Sequence, residues 1–152
     1  SLGVTALRDA TLDQIGDLDD DRIRRRARHV IGENTRTLDA AAAMRSNNAV
    51  DLGRLMNESH ASLRNDYEVS GPALDHIVAL AQQIDGCLGA RMTGGGFAGA
   101  AVALVQNDST NAFIAELTQS FMAPPEQPAT APTKLYAVRP AAGASIITSP
   151  HQ

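Results

Sequence analysis

The segment Gly94-Gly95-Gly96-Phe97-Ala98-Gly99 places four glycines in six positions, the densest chemical signal in the chain. Gly94, Gly96 and Gly99 satisfy G-x-G-x-x-G, the pattern of a dinucleotide-binding turn. That chemistry needs a strand before the glycines, a helix after them and an acidic residue about 20 positions on. Glu116 lies near that offset, and Ala100-Ala101-Val102-Ala103-Leu104-Val105 suits a strand or a helix. No Lys-Ser or Lys-Thr follows the glycines, which excludes a Walker-type phosphate loop. Two further readings stand beside the dinucleotide turn: a tight hairpin in which Gly supplies positive φ, or a bare backbone that lets a phosphate-binding segment approach closely. Three consecutive glycines exceed what a hairpin requires, which favours close approach.

Other residues have chemical potential but simpler explanations. Arg22-Ile23-Arg24-Arg25-Arg26-Ala27-Arg28 is basic enough to meet phosphates or RNA. Asp19, Asp20 and Asp21 precede it, so Asp20–Arg24 and Asp21–Arg25 are i,i+4 pairs on a solvated helix face. His29, His60 and His76 show no metal-ligand spacing and read as surface or packed residues. Ser59 next to His60 is not a nucleophile–base pair. Asp66, Tyr67 and Glu68 are acid–base candidates without evident partners. Cys87 reads as a small core residue, and the acceptor-like triplets at Asn57 and Asn107 as chance matches.

The elements that must hold these residues follow from apolar period and breakers. A long helix is expected from the acidic lead-in Asp19-Asp20-Asp21 to about Arg45, with Ile23, Ala27, Val30, Ile31, Leu38, Ala41 and Ala42 in period, broken by Ser46-Asn47-Asn48. A second helix spans about Ala49 to Arg64, with Leu52, Leu55, Met56, Ser59 and Leu63 on one face. After a connection at 65–71, Pro72 opens a third, striped by Leu74, Ile77, Val78, Ala81 and Ile84 and stopped by Asp85-Gly86. Strands are expected at Cys87–Met92 and Ala100–Gln106, flanking the glycines. A fourth helix is capped by Asn107-Asp108-Ser109 and striped by Ile114, Leu117 and Phe121. Pro124, Pro125, Pro128 and Pro132 mark a linker, and Lys134–Val138 a last strand. The fold class is therefore α+β: helices, then a small antiparallel sheet in β-β-α-β order.

With 152 residues, 43% of them hydrophobic and 20% charged, the chain suits one folded unit and not a disordered segment. A single cysteine excludes an internal disulfide framework. Net charge of −4 argues against general nucleic-acid binding, and the longest apolar run, 97–105, is far too short for a membrane span. No basic, apolar leader opens the sequence, so a cytoplasmic protein is expected.

Gly89-Ala90-Arg91-Met92-Thr93-Gly94-Gly95-Gly96-Phe97 resembles the third motif of the GHMP sugar kinases. Arg25–Val30, Leu55–His60, Ser62-Leu63-Arg64 and Asp66–Ser70 resemble the galactokinase branch in the same order, and Tyr136–Ala144 is similar to its closing segment. The resemblance runs from about Ala6 to Gly143 and implies a GHMP kinase C-terminal domain over residues 1–152. It implies an ATP- and Mg²⁺-dependent enzyme that phosphorylates galactose at its anomeric hydroxyl. It assigns Thr93, Gly94, Gly95, Gly96 and Phe97 to a wall of the active site beside the phosphate loop. The family's catalytic residues, sugar contacts and ATP loop precede the matched region, so no catalytic residue and no metal ligand is expected in this chain. Galactose and ATP are expected to bind through an N-terminal domain outside it, and the start at Ser1 fits that reading. The isolated chain is then expected to be inactive, with an apolar face at Leu52, Leu55 and Met56 or on the sheet left uncovered. The alternative is a stand-alone sugar-sensing or protein-binding module descended from a kinase. Galactokinases usually have Gly at position 98, Asp at 65 and Cys at 71, where this chain has Ala98, Asn65 and Gly71.

Overall fold

The computed structural model describes residues 2–97, 99–122 and 133–141. Two short 3-10 turns, Leu7–Asp9 and Asp13–Asp17, lead into helix α1, Asp21–Arg45. Asp20 caps α1 by accepting the Ile23 N–H at 3.1 Å, so it is not the partner of Arg24. Arg24 instead reaches Asp21 at 3.3 Å and donates to the Leu18 carbonyl at 2.6 Å, while Arg25 pairs with Asp21 at 3.2 Å. Asn48 caps helix α2, Ala49–Ser62, which widens into one π-helical turn over Leu63–Tyr67. Helix α3 is Pro72–Gln83, and helix α4, Thr110–Met122, follows a 3-10 turn at Asn107–Ser109. Strands β1, Cys87–Thr93, and β2, Ala100–Val105, pair antiparallel with Met92 opposite Ala101 and Thr93 opposite Ala100.

Three small cores hold these elements. Val78, Ala81, Ile84, Ala90, Phe113 and Leu117 join α3, β1 and α4. Leu63, Leu74 and Met92 join the π-turn, α3 and β1. Ala10, Ile15, Ala27 and Ile31 fix the N-terminal segment on α1. Leu38 continues the Ala27/Ile31 stripe past the last of these contacts, and it is 71% exposed instead of buried. The helix α2 packs on β1 without side chains between them at one point: a Cβ on Gly53 would overlap the Leu88 carbonyl, and one on Gly89 the Gly53 carbonyl.

The α+β class and the antiparallel strands flanking the glycines are as the sequence indicates, but the final strand is not. Thr133–Ala141 forms no strand, and among the described residues the sheet has two strands. A strand needs a partner edge for its amides, and no backbone hydrogen bond joins this segment to β1 or β2 among the described residues. Leu135 alone packs onto the core, while Tyr136 and Val138 are exposed. The proline linker at 124–132 lies outside the described residues. Leu55 is buried and Leu52 and Met56 are half-buried, so the expected bare face is not theirs; Met44 and Val50 beside them are exposed, as is Val102 on the sheet. Among the described residues no helix is long and apolar enough to cross a membrane.

Candidate functional site: a glycine loop between two latches

The pairing of Ala100–Val105 with β1 makes the glycine segment the turn of a β-hairpin. A dinucleotide fold requires a helix in that place, so that reading is eliminated. Thr93 ends β1, and Gly94 to Phe97 form the exposed turn, with φ of +79° at Gly94 and +82° at Gly96. Gly96 is required twice over, since a Cβ there would also strike the Val69 carbonyl. Gly95 is different. Its φ lies outside the left-handed region, and no described atom stands within 4 Å of where its Cβ would be. Nothing among the described residues demands glycine at this position. Among the described residues, no chain acceptor receives the Gly94, Gly95 or Gly96 N–H, while the Phe97 N–H donates to the Val69 carbonyl at 2.7 Å. Phe97 adopts φ +60° and is 73% exposed, an unusual state for a large apolar residue. Position 98, where Ala replaces the expected Gly, lies outside the described residues.

The connection that meets the loop is itself fastened by the arginine run. Arg25 and Arg26 both pair with Glu68, Arg26 at 2.6 Å, and Arg25 donates to the Asn65 carbonyl at 3.0 Å. Arg26 also donates to the Asp66 carbonyl. Arg28 pairs with Asp66 at 3.3 Å, and Ser62 donates to the same carboxylate at 3.0 Å. Tyr67 stacks on His29 at 4.5 Å, whose Nδ1 lies 3.0 Å from Ser62 Oγ. The basic run thus clamps α1 to the π-turn and is not simply a solvated face. Asp66, Tyr67 and Glu68 are engaged in this clamp, and hydrogen bonds from Arg25 and Arg26 hold the Glu68 carboxyl down to about 2, far too low for a general base. Asn65 enters the clamp through its backbone, so the missing carboxylate there leaves the Arg25 contact intact. Gly71 lets the connection approach the Phe97 carbonyl, which a Cβ would meet at 3.1 Å.

Glu68 makes stability depend on acid. Its carboxyl lies below its ordinary value of 4.5, so its contribution is present above pH 4.5 and lost as pH falls toward 2. Glu68→Gln is therefore expected to flatten the fall of melting temperature across that window, measured by circular dichroism at low salt. An unchanged acid slope would show that the clamp contributes nothing to stability.

On the other side, His60 accepts the Met92 N–H at Nδ1 (3.2 Å), and Asn57 accepts the Ala90 N–H at Oδ1 (2.8 Å). Gln82 also donates to Asn57, at 2.8 Å. His29 and His60 are packed residues as expected, and burial lowers the pKa of each, while His76 is exposed beside Phe121. Cys87 is half-buried at the edge of the core, where burial pushes its thiol up. Sequence reasoning missed the Asn57–His60 pair, whose only signal is two polar residues three apart facing the sheet. Among the described residues no group of three or more His, Cys, Asp or Glu is placed to hold a metal ion.

A helix-flanked hairpin presenting a bare glycine turn is the structure expected of a GHMP kinase C-terminal domain, and residues 40–122 match the family described as GHMP kinases C terminal. The chain belongs to that family. Its similar relatives are galactokinases: it is 47% identical over 122 residues to the galactokinase of a Roseiflexus species, covering 78% of this chain and 31% of that one. Identity to the Staphylococcus carnosus galactokinase is 50% over 104 residues, covering 68% of this chain and 27% of that one. The crystal structure of Lactococcus lactis galactokinase complexed with galactose superposes with a TM-score of 0.73 at 40% identity, covering 78% of this chain and 31% of that chain. The galactokinase resemblance read from the motifs is thus borne out, and the chain spans less than a third of the length of these relatives.

Proposed function

We propose that this chain is the C-terminal part of a galactokinase, which transfers the γ-phosphoryl of ATP to the anomeric hydroxyl of galactose, giving galactose 1-phosphate and ADP. In this reading an N-terminal domain outside the chain supplies the catalytic residues, the sugar contacts and the main ATP loop, in the cytoplasm where ATP and free sugar are found. Thr93, Gly94, Gly95, Gly96 and Phe97 form the wall that faces the nucleotide phosphates. The carrying observation is Gly95, whose lack of a side chain answers to nothing among the described residues and suits a neighbour arriving from outside the chain. Among the described residues the amides of Gly94 to Gly96 meet no chain acceptor, which suits an anionic neighbour.

Bare backbone at Gly94 and Gly95 is a cradle that a Cβ would fill, so the loop fits a closely placed phosphate chain. Mg²⁺ on the nucleotide would neutralise charge developing on the transferred group. This chain's residues would do positioning work: the Val69 and His60 contacts hold the loop in place.

Replacing the matching portion of the Lactococcus lactis galactokinase with this chain tests the reading. The hybrid is expected to release ADP from ATP in a galactose-dependent manner. A folded hybrid that binds ATP without such release would contradict it.

A further inference from the structure

In a two-stranded sheet each strand leaves alternate amides unpaired along its outer edge. On β1 two such amides, Ala90 and Met92, point to α2, where Asn57 Oδ1 and His60 Nδ1 accept them at 2.8 and 3.2 Å. Asn57 and His60 are three apart, so they share one helix face and meet alternate residues of the strand. They stand where a third strand's carbonyls would stand.

Met92 is 1% exposed and directly precedes Thr93, and its side chain lies under the loop: a Cβ on Gly96 would be 3.1 Å from Met92 Cε. A fixed Met92 therefore sets the height at which the glycine turn leaves the sheet. His60 is 4% exposed, and a backbone N–H can only donate, so Nδ1 bears the lone pair and Nε2 the proton of the neutral ring. That Nε2 makes no hydrogen bond among the described residues, although Asp75 Oδ1 is 3.4 Å away and receives the Ser70 hydroxyl at 2.6 Å.

We propose that Asn57 and His60 are positioning residues for the glycine loop: by standing in for a strand along the outer edge of β1, they fix Met92 and hence the Thr93–Phe97 wall. The proposal rests on the kinase reading for its catalytic consequence, but not for its structural one. Both can be separated by two conservative variants. In His60→Asn the side-chain oxygen replaces Nδ1 as acceptor, whereas in His60→Gln the side chain reaches the Nε2 position and the Met92 acceptor is lost.

The test is nuclear magnetic resonance on the full 152-residue chain, which needs no nucleotide. Expected in the unmodified chain is a neutral His60 protonated at Nε2, read from its ring nitrogen shifts. His60→Gln should speed Met92 amide exchange about tenfold relative to Ala90, while His60→Asn stays within about threefold of the parent. A His60 protonated at Nδ1, or equal Met92 exchange in both variants, would overturn the proposal whether or not the variants are fully stable. In the hybrid kinase, His60→Gln should lower kcat about tenfold with KM for galactose unchanged, and His60→Asn should restore it. Equal turnover in both variants, in a hybrid that is active, would remove the catalytic consequence while leaving the kinase reading standing.

Discussion

Gly53→Ala is expected to destabilise the fold by about 3 kcal/mol, at the upper end of ordinary overpacking. In most helices the same change helps, because alanine is the better helix former by about 1 kcal/mol. Here α2 and β1 meet backbone to backbone, and the new Cβ would overlap the Leu88 carbonyl and come within 2.9 Å of Leu88 Cβ. Neither neighbour is a flexible side-chain end, so helix and strand must move apart. That movement would also pull Asn57 and His60 off Ala90 and Met92. For a chain of this size the loss corresponds to a melting temperature roughly 6–12 °C lower, measured by circular dichroism. Gly32→Ala in α1 is the control, since the nearest atoms to its Cβ belong to the Arg36 guanidinium, the far end of a flexible side chain, and the change should be neutral or stabilising. A Gly53→Ala chain melting with the parent would mean that the α2–β1 contact is looser than described.

Gly95→Val should do the reverse, leaving stability within about 0.5 kcal/mol of the parent and lowering kcat of the hybrid kinase about 100-fold. The position has open space around it and a φ that other residues tolerate, so the isolated chain gives no reason for harm. Harm arises only if another surface packs against the turn. Gly96→Val is the contrasting variant: its φ of +82° and the Val69 carbonyl make it destabilising in the chain by itself. Melting curves of both variants, set beside galactose-dependent ADP release by the hybrids, separate the two roles. Full activity of Gly95→Val would remove the loop from the active-site wall.

Much of this architecture is written in local pattern. Pro72 after Gly71, the Ser46–Asn48 break and the stripe Leu74, Val78, Ala81 each place a boundary or a face within a residue or two. The hairpin was legible because glycines between two apolar runs leave few other solutions. What stayed hidden depends on contacts between distant segments. Arg25 and Arg26 look like a solvated basic face until the π-turn brings Glu68 beneath them, and no period announces that turn. Lys134–Val138 is a short apolar run of the kind a strand uses, but no local signal reports that an edge is lacking for it among the described residues. Gly53 and Gly89 look like ordinary helix and strand glycines until the two elements touch. At the loop, composition distinguished the close-approach reading from a plain hairpin, and the structure divides the glycines between both: Gly94 and Gly96 serve the turn, and Gly95 serves neither turn nor core.

The central claim is that this chain supplies one wall of a galactokinase site whose chemistry resides in another part. Galactose-dependent ADP release by residues 1–152 alone, with saturating ATP, Mg²⁺ and galactose, tests it most directly. The expected result is no release above the enzyme-free background. Sustained turnover by the purified chain would contradict the claim, since it would place the chemistry within residues 1–152.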